Sequence, residues 1–516
     1  MVITSFDQWW KWSQTCSMLP VVCKYTLDED RVLSWEKAWE MAGDRAIVLE
    51  SGKVGRYSFI GLKPVSVILG KGGTAVVTDI RSGERDRWKG DPIPLVKRWM
   101  APFRAPHVEG APKFIGGCAG FWGYDVVRSL ERLPETARDD LGLPDYCFMR
   151  FEELWIIDHA AKELYCAVHH SVTEQEAADA DLLTRAYEQT LRRARDMKSQ
   201  WDRIASANAD SAIRTAHGRR LALLRSDSFH VDAETFPDLQ RSFAKSEFID
   251  AVKRIQQYIA AGDVFQVNLS VRQSSRLAAR PELIYEWLRL VNPSPYMGFL
   301  QFGDFQLVSA SPELLVQLER STVRTRPIAG TRPRGQTEEE DARLARELLG
   351  NEKERAEHIM LVDLERNDLG RISRYGTVKV TELMAVERYS HVMHLVSEVR
   401  GELAAGKDAY DVVAAVFPGG TITGAPKIRT MEIIEELEPV RRGPYTGSVG
   451  WIDYNGNMEF NIIIRTLVSA GGMGHIQAGA GIVIDSVPER EYVESLNKAK
   501  ALWKAVRLSS VDPASG

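Results

Sequence analysis

Cysteine is scarce in this sequence, and its distribution excludes two kinds of stabilised fold. Five cysteines occur among 516 residues, no two of them form a C-x-x-C pair, and none follows Cys166. Neither a disulfide framework nor a structural zinc site is therefore expected, and a reducing compartment is favoured. No apolar run reaches the ~18 residues of a membrane-spanning helix, and residues 1–14 lack the apolar core of a signal peptide. We expect a cytoplasmic protein that does not enter a membrane.

Charge of one sign is not concentrated anywhere along the chain. Lys and Arg number 66 and Asp and Glu number 71, which gives a net charge of −5. This balance gives no support to binding of nucleic acid or of an anionic membrane. The phosphate-binding patterns G-x-G-x-x-G and G-x-x-x-x-G-K-[ST] are absent from predicted strand–helix junctions, so neither a dinucleotide fold nor a P-loop is predicted. What is present is a globular composition, whose 44% of hydrophobic residues can form a large core.

The distribution of strand and helix patterns predicts an α+β fold. Between about residues 45 and 167, short runs rich in β-branched and aromatic residues alternate with glycine or charged pairs, as in antiparallel sheets. Residues 201–238 are mostly small and polar, and predict a linker or surface excursion between a region 1–200 and a region 239–508. The second region mixes strand hairpins with single helices. We therefore expect antiparallel or mixed sheets with helices outside.

Two helical segments each carry a pair of glutamates. Glu354 and Glu357, and again Glu491 and Glu494, are three residues apart, so each pair shares one helix face. If the two faces met, their carboxylates would form an all-oxygen site that suits Mg²⁺, which combines few protein carboxylates with water and substrate oxygens. The alternative is that both are solvated faces, neutralised by nearby cations: Lys353, Arg355, Arg490 and Lys498. The spacing alone leaves both interpretations open.

Glycines cluster in the second region, in residues 327–335, 417–427 and 477–486. Glycine permits close approach of the backbone and exposes N–H groups to an anion. Cationic side chains, among which arginine suits bidentate binding of carboxylates, lie in or near these segments: Arg332, Arg334, Lys427 and Arg465. The combination indicates a pocket for a dicarboxylate, whereas any single cluster could be a tight turn.

Three further side chains could carry chemistry. Cys118 formally matches the G-x-C-x-G elbow of thiol glutaminases, but a strand before it and a helix after it are not predicted, so a turn of the sheet is expected. His394 lies in an apolar segment, where a buried structural histidine is the commoner case. Glu313 follows a proline at the start of an apolar strand. An unpaired carboxylate would be costly to bury there, which makes Glu313 a functional candidate.

The order and content of several segments resemble the chorismate-utilising enzymes, specifically anthranilate synthase component I and aminodeoxychorismate synthase component I. The resemblance extends over about residues 30–505. It implies one large structure in which two β-sheets pack as a sandwich around the active site, with helices outside and with a chorismate-binding catalytic region at 239–508. The segments that carry it are LESGKVGRYSFIGL (49–62), GDVFQVNLS (262–270), NPSPYM (292–297), PIAGTRPRG (327–335), EHIMLVDLERNDLGR (357–371), GGTITGAPKIRTMEIIEELEP (419–439), NIIIRT (461–466) and GAGIVIDSVPEREY (479–492).

The resemblance implies a role for each matching residue. Glu313 resembles the general acid that assists loss of the C4 hydroxyl of chorismate, His394 a histidine near the reacting ring, and Thr421 lies in the matching Gly-Thr pair. Mg²⁺ is the implied cofactor, bound by the two glutamate pairs, partly through water, and holding the ring carboxylate. The implied substrate contacts are Gln266, Gly330, Thr331, Tyr445, Arg465, Lys498 and the backbone of Gly479, Ala480 and Gly481.

Three positions bear on which reaction is catalysed. Gln266 stands where isochorismate and salicylate synthases carry a lysine that activates water, so hydroxylation at C2 is not expected. Ala329 stands where aminodeoxychorismate synthases often carry a lysine nucleophile, which by itself favours amination at C2 to anthranilate. Longer stretches, including QVNLS with Asn268, resemble aminodeoxychorismate synthases, some of which carry alanine at the lysine position. We expect 4-amino-4-deoxychorismate, for 4-aminobenzoate and folate biosynthesis, with anthranilate and tryptophan biosynthesis as the alternative.

A supply of ammonia and a second binding site are further implications. No convincing glutaminase motif occurs, so a separate glutamine amidotransferase subunit is expected. A third hypothesis is a non-catalytic subunit that binds an effector or partner, but such a chain should have lost Glu313, His394 or the glutamate pairs, and all are present. The resemblance implies an effector pocket, with tryptophan as a candidate ligand, formed by Leu49, Glu50, Ser51, Asn292, Pro293, Ser294, Tyr296 and Met297.

Overall fold

The computed structural model describes residues 1–29, 31–52, 55–226, 238–389 and 392–512. Strands account for much of these ranges. In chain order they are β1 (Met18–Thr26), β2 (Arg45–Glu50), β3 (Tyr57–Gly61), β4 (Ser66–Lys71), β5 (Thr74–Asp79), β6 (Arg85–Lys89), β7 (Gly117–Trp122), β8 (Tyr146–Phe151), β9 (Glu153–Asp158), β10 (Glu163–Ser171), β11 (Gln240–Arg241), β12 (Gln266–Arg276), β13 (Tyr296–Phe302), β14 (Phe305–Ser311), β15 (Leu314–Glu319), β16 (Thr322–Thr325), β17 (Ile328–Pro333), β18 (Lys379–Arg388), β19 (Val392–Glu402), β20 (Gly424–Ala425), β21 (Ser448–Asp453), β22 (Met458–Ile462), β23 (Thr466–Ala470) and β24 (Met473–Ile482).

Helices separate the groups of strands. Across the described ranges, every helix is too short or too polar to span a bilayer. In chain order the helices are α1 (Phe6–Trp12), α2 (Glu36–Trp39), α3 (Pro92–Met100), α4 (Glu174–Ala178), α5 (Ala180–Ala205), α6 (Ser211–Arg225), α7 (Lys245–Ala260), α8 (Pro281–Val291), α9 (Glu338–Gly350), α10 (Glu352–Gly370), α11 (Ala409–Val416), α12 (Lys427–Leu437) and α13 (Pro488–Ser510), with short 3₁₀ turns at Tyr124–Ser129, Ser206–Asn208 and Gly420–Ile422.

The strands form two sheets of twelve strands each in the described parts of the chain. The order in the first sheet is β1-β10-β9-β3-β2-β13-β14-β23-β24-β12-β11, with β20 paired to β12. The order in the second sheet is β17-β19-β16-β15-β22-β21-β7-β8-β4-β5-β6, with β18 paired to β19. The pairings in both sheets are antiparallel. The predicted α+β class, with two large sheets and helices outside, is confirmed.

Alternate residues of the strands face opposite layers. Along β1, Val21 and Cys23 pack against the helices that cover the first sheet, whereas Val22 lies in the core between the two sheets. This alternation is the geometric consequence of the β-pleat. The core between the sheets joins Phe59 of the first sheet to Trp451 of the second, whose ring centroids are 5.8 Å apart. The molecule is therefore layered, with helices outside two facing sheets.

Both halves of the chain contribute to both sheets. Region 1–200 supplies β1, β2, β3, β9 and β10 to the first sheet and β4 to β8 to the second. Region 239–508 supplies the remaining strands. The boundary inferred from the sequence therefore divides the chain but not the sheets, which run continuously from one region into the other.

The polar segment 201–238, which the sequence predicts to be a linker or surface excursion, contains a helix. Residues Ser211–Arg225 form α6, which is capped by an aspartate side chain at its start. Arg220 on this helix is buried and pairs with Asp512 at 2.7 Å between Nε and Oδ2. The helix α6 has only a weak apolar face, so its helical pattern is faint in the sequence. It is stabilised instead by its N-terminal cap and by one buried ion pair. Residues 227–237 of the predicted linker lie outside the described residues.

Candidate active site

One cavity, with a volume of about 710 Å³, brings together most of the predicted site residues. It lies where β12 and β24 of the first sheet approach β17 and β19 of the second, beneath α10 and α13. The strands and helices around it come from widely separated parts of the chain. The predicted residues that line it are Gln266, Glu313, Gly330, Thr331, Glu354, Glu357, His394, Thr421, Tyr445, Arg465, Gly479, Gly481, Glu491, Glu494 and Lys498.

Ala480 is a predicted contact whose side chain does not face the cavity. It is fully buried in an apolar cluster on the other face of β24, with Val267 and Ile482. Because successive residues of a strand point to opposite faces, Gly479 and Gly481 face the cavity and Ala480 between them cannot. The contact predicted for Ala480 is one of its backbone, so it stays a prediction that the packing of the side chain does not test.

Glu313 lies in the short connection between β14 and β15 and is buried. Burial raises the pKa of its carboxyl group to about 7, an effect that the neighbouring Thr421 hydroxyl and the Ile328 backbone N–H partly offset. The Thr421 hydroxyl itself makes no hydrogen bond of standard geometry with any described residue. A carboxyl group that holds its proton near neutral pH can act as a general acid. The geometry therefore fits the predicted role of Glu313.

His394 lies on β19 and is oriented by the neighbouring strand. Its Nδ1 lies 3.0 Å from the carbonyl oxygen of Gly330 and 3.0 Å from the hydroxyl of Thr331. A carbonyl oxygen can only accept, so Nδ1 carries the hydrogen and Nε2 is left as an acceptor. Burial lowers the pKa of the imidazole, which keeps the ring neutral. His394 is thus a neutral, oriented ring at the cavity wall.

Four cationic side chains were expected in or near a pocket for a dicarboxylate. In the structure three of them form ion pairs with protein carboxylates and the fourth does not. Arg332 pairs with Glu354, Arg334 with Asp341, and Lys427 with Asp368. The guanidinium of Arg465, in contrast, has no ion pair with any described residue, although it lines the cavity. Its pKa is lowered by burial. A desolvated guanidinium without an anion is a site prepared for a carboxylate.

Two of the other predicted substrate contacts, Tyr445 and Lys498, line the same cavity as Arg465. The ring of Tyr445 is buried in the cavity wall, where burial raises the pKa of its hydroxyl. Lys498 Nζ donates to the carbonyl oxygen of Gly479 at 2.9 Å and pairs with Glu494 at 2.9 Å. The ammonium group is therefore already oriented along the wall formed by β24.

The glutamate pairs of α10 and α13 line the same cavity but are partly neutralised by cations. Glu354 Oε1 accepts from Arg332 at 2.6 Å, while its Oε2 is buried without a hydrogen-bond partner among the described residues. Burial, together with the charge of Glu494, raises the pKa of Glu491. Within the described ranges, no three His, Cys, Asp or Glu side chains gather into a metal-binding cluster. The unpartnered oxygen and the carboxylate donors fit Mg²⁺, which needs only one or two protein carboxylates beside water and substrate oxygens.

Gly330 allows α10 to approach the strand β17. Its φ of +62° is a backbone conformation that L side chains rarely adopt, and a Cβ atom would lie 2.5 Å from Glu354 Oε2. The residue sits at an irregularity in the pairing of β17 with β19, between Ala329 and Thr331. Glycine at this position therefore brings a carboxylate of α10 within reach of the strand that carries the predicted substrate contacts.

The predicted effector-pocket segments adjoin a second cavity of about 520 Å³. It is lined by Leu49, Glu50 and Ser51 and by Tyr296 and Met297, among others. The remaining predicted residues, Asn292, Pro293 and Ser294, do not line the cavity, which corrects their assignment to the pocket. The carbonyl oxygen of Ser294 accepts from the backbone N–H of Gly52 at 2.9 Å. The Glu50 carboxylate accepts from the Tyr285 hydroxyl at 2.6 Å and pairs with Arg289 at 3.0 Å. The two cavities share Pro312 and Ile328 in their walls, so they are neighbours.

Cys118 lies within β7 and not in a turn, which corrects the expectation from the sequence. All six residues of β7 are buried, because the strand is central in the second sheet and covered on both faces. Burial raises the pKa of the Cys118 thiol far above its usual value. A buried, protonated thiol cannot serve as a glutaminase nucleophile.

Residues that sequence reasoning did not assign also line the cavity. The polar ones are Asn268, Asn351, Lys353, Gln477 and Ser486, and Ala329 of β17 is an apolar one. Asn268 could have been found, because it is two residues from Gln266 on one strand and must share its face. Gln477 lies two residues before Gly479 and follows from the same alternation.

Comparison with known proteins agrees with the geometry of this cavity. A family model for chorismate binding enzymes matches residues 45–504. The chain is 46% identical over 491 residues to aminodeoxychorismate synthase component 1 of Bacillus subtilis (strain 168), a match that covers 95% of this chain and 97% of the relative. It is also 46% identical over 462 residues to anthranilate synthase component 1 of Thermus thermophilus, covering 89% of this chain and 91% of the relative.

A solved structure supports the fold. The crystal structure of anthranilate synthase component I from Streptococcus pneumoniae TIGR4 matches with a TM-score of 0.67 and 35% sequence identity, over 87% of this chain and 92% of that chain. The architecture of two sheets with outer helices is therefore that of anthranilate synthase component I. Together with the sequence matches, this similarity leads to one conclusion: the chain belongs to the family of chorismate binding enzymes.

Proposed function

We propose that this protein aminates chorismate with ammonia to give 4-amino-4-deoxychorismate, for 4-aminobenzoate and folate biosynthesis. The observation that carries the proposal is the buried Glu313 carboxyl, whose pKa of about 7 lets it keep a proton near neutral pH. It lies in the same cavity as the Arg465 guanidinium, which has no ion pair among the described residues. An acid beside a carboxylate-binding cation suits a substrate that must lose a hydroxyl group while its carboxylates are held. The Bacillus subtilis relative supports this product.

Each group of the cavity would have a defined task in this reaction. Glu313 would donate its proton to the C4 hydroxyl of chorismate as the C4–O bond breaks and water leaves. Arg465 would bind a substrate carboxylate, with Tyr445 and Lys498 beside it. Neutral His394 would present Nε2 to the ring side of the cavity. Ammonia would form the new C4–N bond and then lose a proton to solvent.

Mg²⁺ is proposed as the cofactor, held by Glu354, Glu357, Glu491 and Glu494, some of them through water. It would supply positive charge that orients the ring carboxylate and stabilises negative charge on it. The donor set supports this assignment because it is made of carboxylates and includes one buried oxygen without a partner among the described residues.

A metal role predicts a specific loss of activity. Glu357→Gln and Glu494→Gln should each reduce ammonium-dependent turnover at least about tenfold, because a lost or misoriented ligand typically weakens metal affinity or activity by about 10–100-fold. The measurement is the initial rate at increasing Mg²⁺ concentration, and the loss should be partly recovered at high Mg²⁺. Glu352→Gln, an exposed residue at the start of α10, is the matched control and should behave as wild type. Full activity after treatment with a chelator would exclude the metal.

Formation of anthranilate is the second candidate function. Ala329 lines the cavity and offers no amine, so a lysine adduct at C2 cannot form there. The Thermus thermophilus relative, at the same 46% identity, is named as an anthranilate synthase. Amination at C4 is preferred because QVNLS and neighbouring segments resemble aminodeoxychorismate synthases over longer stretches.

A glutamine amidotransferase subunit is proposed as the source of ammonia. Cys118, the one residue that matches a glutaminase motif, is buried in a strand and protonated.

The five cysteines are free thiols, which supports the proposed location in the cytoplasm. Tryptophan is proposed as a ligand of the second cavity, whose wall contains the predicted effector segments.

Identification of the product tests the proposal. Incubation with chorismate, Mg²⁺ and ammonium should give 4-amino-4-deoxychorismate as the main product by mass spectrometry, converted to 4-aminobenzoate when a lyase is added. Glutamine in place of ammonium should give no product, because Cys118, which matches a glutaminase motif, is buried and cannot reach it. Cys118→Ala should leave the ammonium reaction unchanged. Anthranilate as the main product without any lyase would establish the second candidate instead.

A further inference from the structure

The side chain of Arg442 is buried behind the active-site cavity and does not line it. The residue is 2% exposed, and its guanidinium carries five N–H donors in a planar fork. All five donate to protein oxygens: to the Glu438 carboxylate from Nε at 2.9 Å and from Nη2 at 2.7 Å, to the Asn268 carbonyl from Nη2 at 2.7 Å, and from Nη1 to the Ile422 carbonyl at 3.0 Å and the Thr446 hydroxyl at 3.2 Å. With no donor left over, the guanidinium acts on the protein and not on a ligand.

The Glu438 carboxylate fixes Arg442 and is itself fixed by β12. It lies just after α12 and is 3% exposed. Its Oε1 also accepts from the backbone N–H of Ser270 at 2.9 Å and from the Ser270 hydroxyl at 2.7 Å. That hydroxyl accepts in turn from Gln477 Nε2 at 2.8 Å, on the wall of the cavity. A buried ion pair with so many hydrogen bonds has one geometry, so Arg442 is a fixed point behind the cavity.

The 3₁₀ turn Gly420–Ile422, which carries Thr421, depends on contacts from outside. The two backbone hydrogen bonds that close it are both 3.4 Å between N and O, longer than the usual range. Arg442 donates to the last carbonyl of the turn at 3.0 Å, and the backbone N–H of Asn268 donates to Thr423 at 2.9 Å. Asn268 Oδ1 accepts from no residue that the structure describes, so the backbone of Asn268 makes this connection. The guanidinium, which also binds the Asn268 carbonyl, thus joins the turn to β12.

The position of this turn matters because the Thr421 hydroxyl neighbours the Glu313 carboxyl. Its contact lowers the pKa of Glu313, against the burial that raises this pKa to about 7. The hydroxyl makes no hydrogen bond of standard geometry with any described residue, so its place is set by the backbone of the turn. Displacing the turn would change both the direction in which Glu313 presents its proton and the pH at which it loses it.

We propose that Arg442 is a positioning residue, whose guanidinium ties the turn that carries Thr421 to β12 and so keeps the Thr421 hydroxyl against Glu313. The proposal rests on the proposed function in one respect, since it takes Glu313 as the general acid. Lysine cannot replace Arg442, because one ammonium group with three donors cannot span acceptors arranged around a planar fork. The competing interpretation is that Arg442 and Glu438 are a buried ion pair that serves stability alone.

Kinetics of Arg442→Lys across pH test the positioning role. Lysine keeps the charge opposite Glu438 but loses the fork, so kcat should fall about 10–100-fold, the size of effect that a small misplacement of reacting groups has. The decline of kcat/KM for chorismate with rising pH should move to higher pH by about 0.5–1 unit, because Glu313 loses the contact that lowers its pKa. Glu365 of α10 also acts electrostatically on Glu313, and it is the same in every variant.

A double variant tests whether Arg442 acts through Thr421. Thr421→Val keeps the size of the side chain and removes the hydroxyl, so kcat should fall about tenfold and the pH profile should move in the same direction. Arg442→Lys/Thr421→Val should move the profile no further than Thr421→Val does, because the hydroxyl is already absent. Shifts that add would mean that Arg442 acts by another route, and would overturn the proposal.

Two further variants separate positioning from stability. Arg442→Met/Glu438→Gln removes both buried charges, so no ion is left unpaired, and its kinetic loss should match that of Arg442→Lys. It decides the question if Arg442→Lys does not melt cooperatively. Arg128→Lys is the matched control, because Arg128 pairs with Asp125 at 3.0 Å and with Glu435 of α12 at 2.5 Å without lining the cavity. Its melting temperature should fall, while its kcat stays within about twofold of the wild type and its pH profile is unchanged.

The outcomes distinguish the positioning role from the function on which it rests. If the wild type incorporates no nitrogen, or its kcat/KM does not decline as pH rises through 7, the proposed function of the site is wrong and the role of Arg442 with it. If the wild type aminates chorismate with that decline, but Arg442→Lys and Arg442→Met/Glu438→Gln keep its pH profile, only the positioning role is wrong. A lower melting temperature with unchanged kinetics would make Arg442 a stabilising residue.

Discussion

Glu313→Gln is expected to reduce kcat by about 10²–10⁴-fold while the fold remains intact, since this is the range that a general acid contributes. Glutamine keeps the size of the side chain but cannot donate a proton to the leaving hydroxyl. The measurement is kcat for chorismate with saturating ammonium. Glu339→Gln, an exposed glutamate on α9, is the matched control and should retain full activity.

The pH dependence adds a second readout for the same variant. The pKa of about 7 predicts that kcat/KM of the wild type declines as pH rises through 7, because Glu313 then loses its proton. The stability of the wild type also falls as pH rises, but over a lower pH range. The folded pKa lies above the usual 4.5, so the wild type loses stability between pH 4.5 and 7, by up to about 3 kcal/mol. Glu313→Gln should therefore unfold at a higher temperature than the wild type at pH 8 but not at pH 4. A variant that keeps its activity, or is less stable at pH 8, would contradict this role.

Arg465→Met is expected to reduce kcat/KM for chorismate by at least about 100-fold, mainly through KM. Truncating one partner of a buried charge pair costs about 2–5 kcal/mol, since the carboxylate of the bound substrate is left unpaired. The free energy of unfolding should not fall, because the guanidinium of Arg465 has no anionic partner among the described residues and its burial lowers its pKa. The measurements are steady-state kinetics and thermal unfolding of the same preparations.

Arg366→Met provides the comparison for this prediction. Arg366 is exposed on α10, where it pairs with Asp363 at 2.9 Å. Its loss should change neither kinetic constant, because a surface ion pair contributes little. An Arg465→Met variant with the wild-type KM for chorismate would show that the substrate carboxylate is bound elsewhere.

The resemblance to a family predicted more of the site than the periodicity of the sequence predicted of the fold. The resemblance to the family assigned roles to Glu313, His394 and Arg465, and the structure gathers them in one cavity. The spacing of the glutamates correctly placed each pair on one helix face, but the ion pair between Glu354 and Arg332 depends on the bend of β17 at Gly330. Such a contact between distant elements leaves no local pattern in the sequence.

Other features were missed for different physical reasons. The unpaired oxygen of Asn268 is a property of the surroundings of the side chain, so it becomes visible only once every neighbour is placed. Cys118 was misplaced in a turn because a small-residue run such as GGCAG is compatible with a central strand as well as with a loop.

The sharing of both sheets between the two regions has a consequence for how the chain folds. The strands of the first 200 residues join later strands at two places in the described sheets, where β2 pairs with β13 and β7 pairs with β21. Such non-local pairing makes folding slow, since long loops must close before contacts are formed. A nascent chain that ends before β13 exposes the backbone N–H and C=O groups along the edges of β2 and β7. Those edges are templates for aggregation until their partners are synthesised, so completion of the chain and completion of the sheets are coupled.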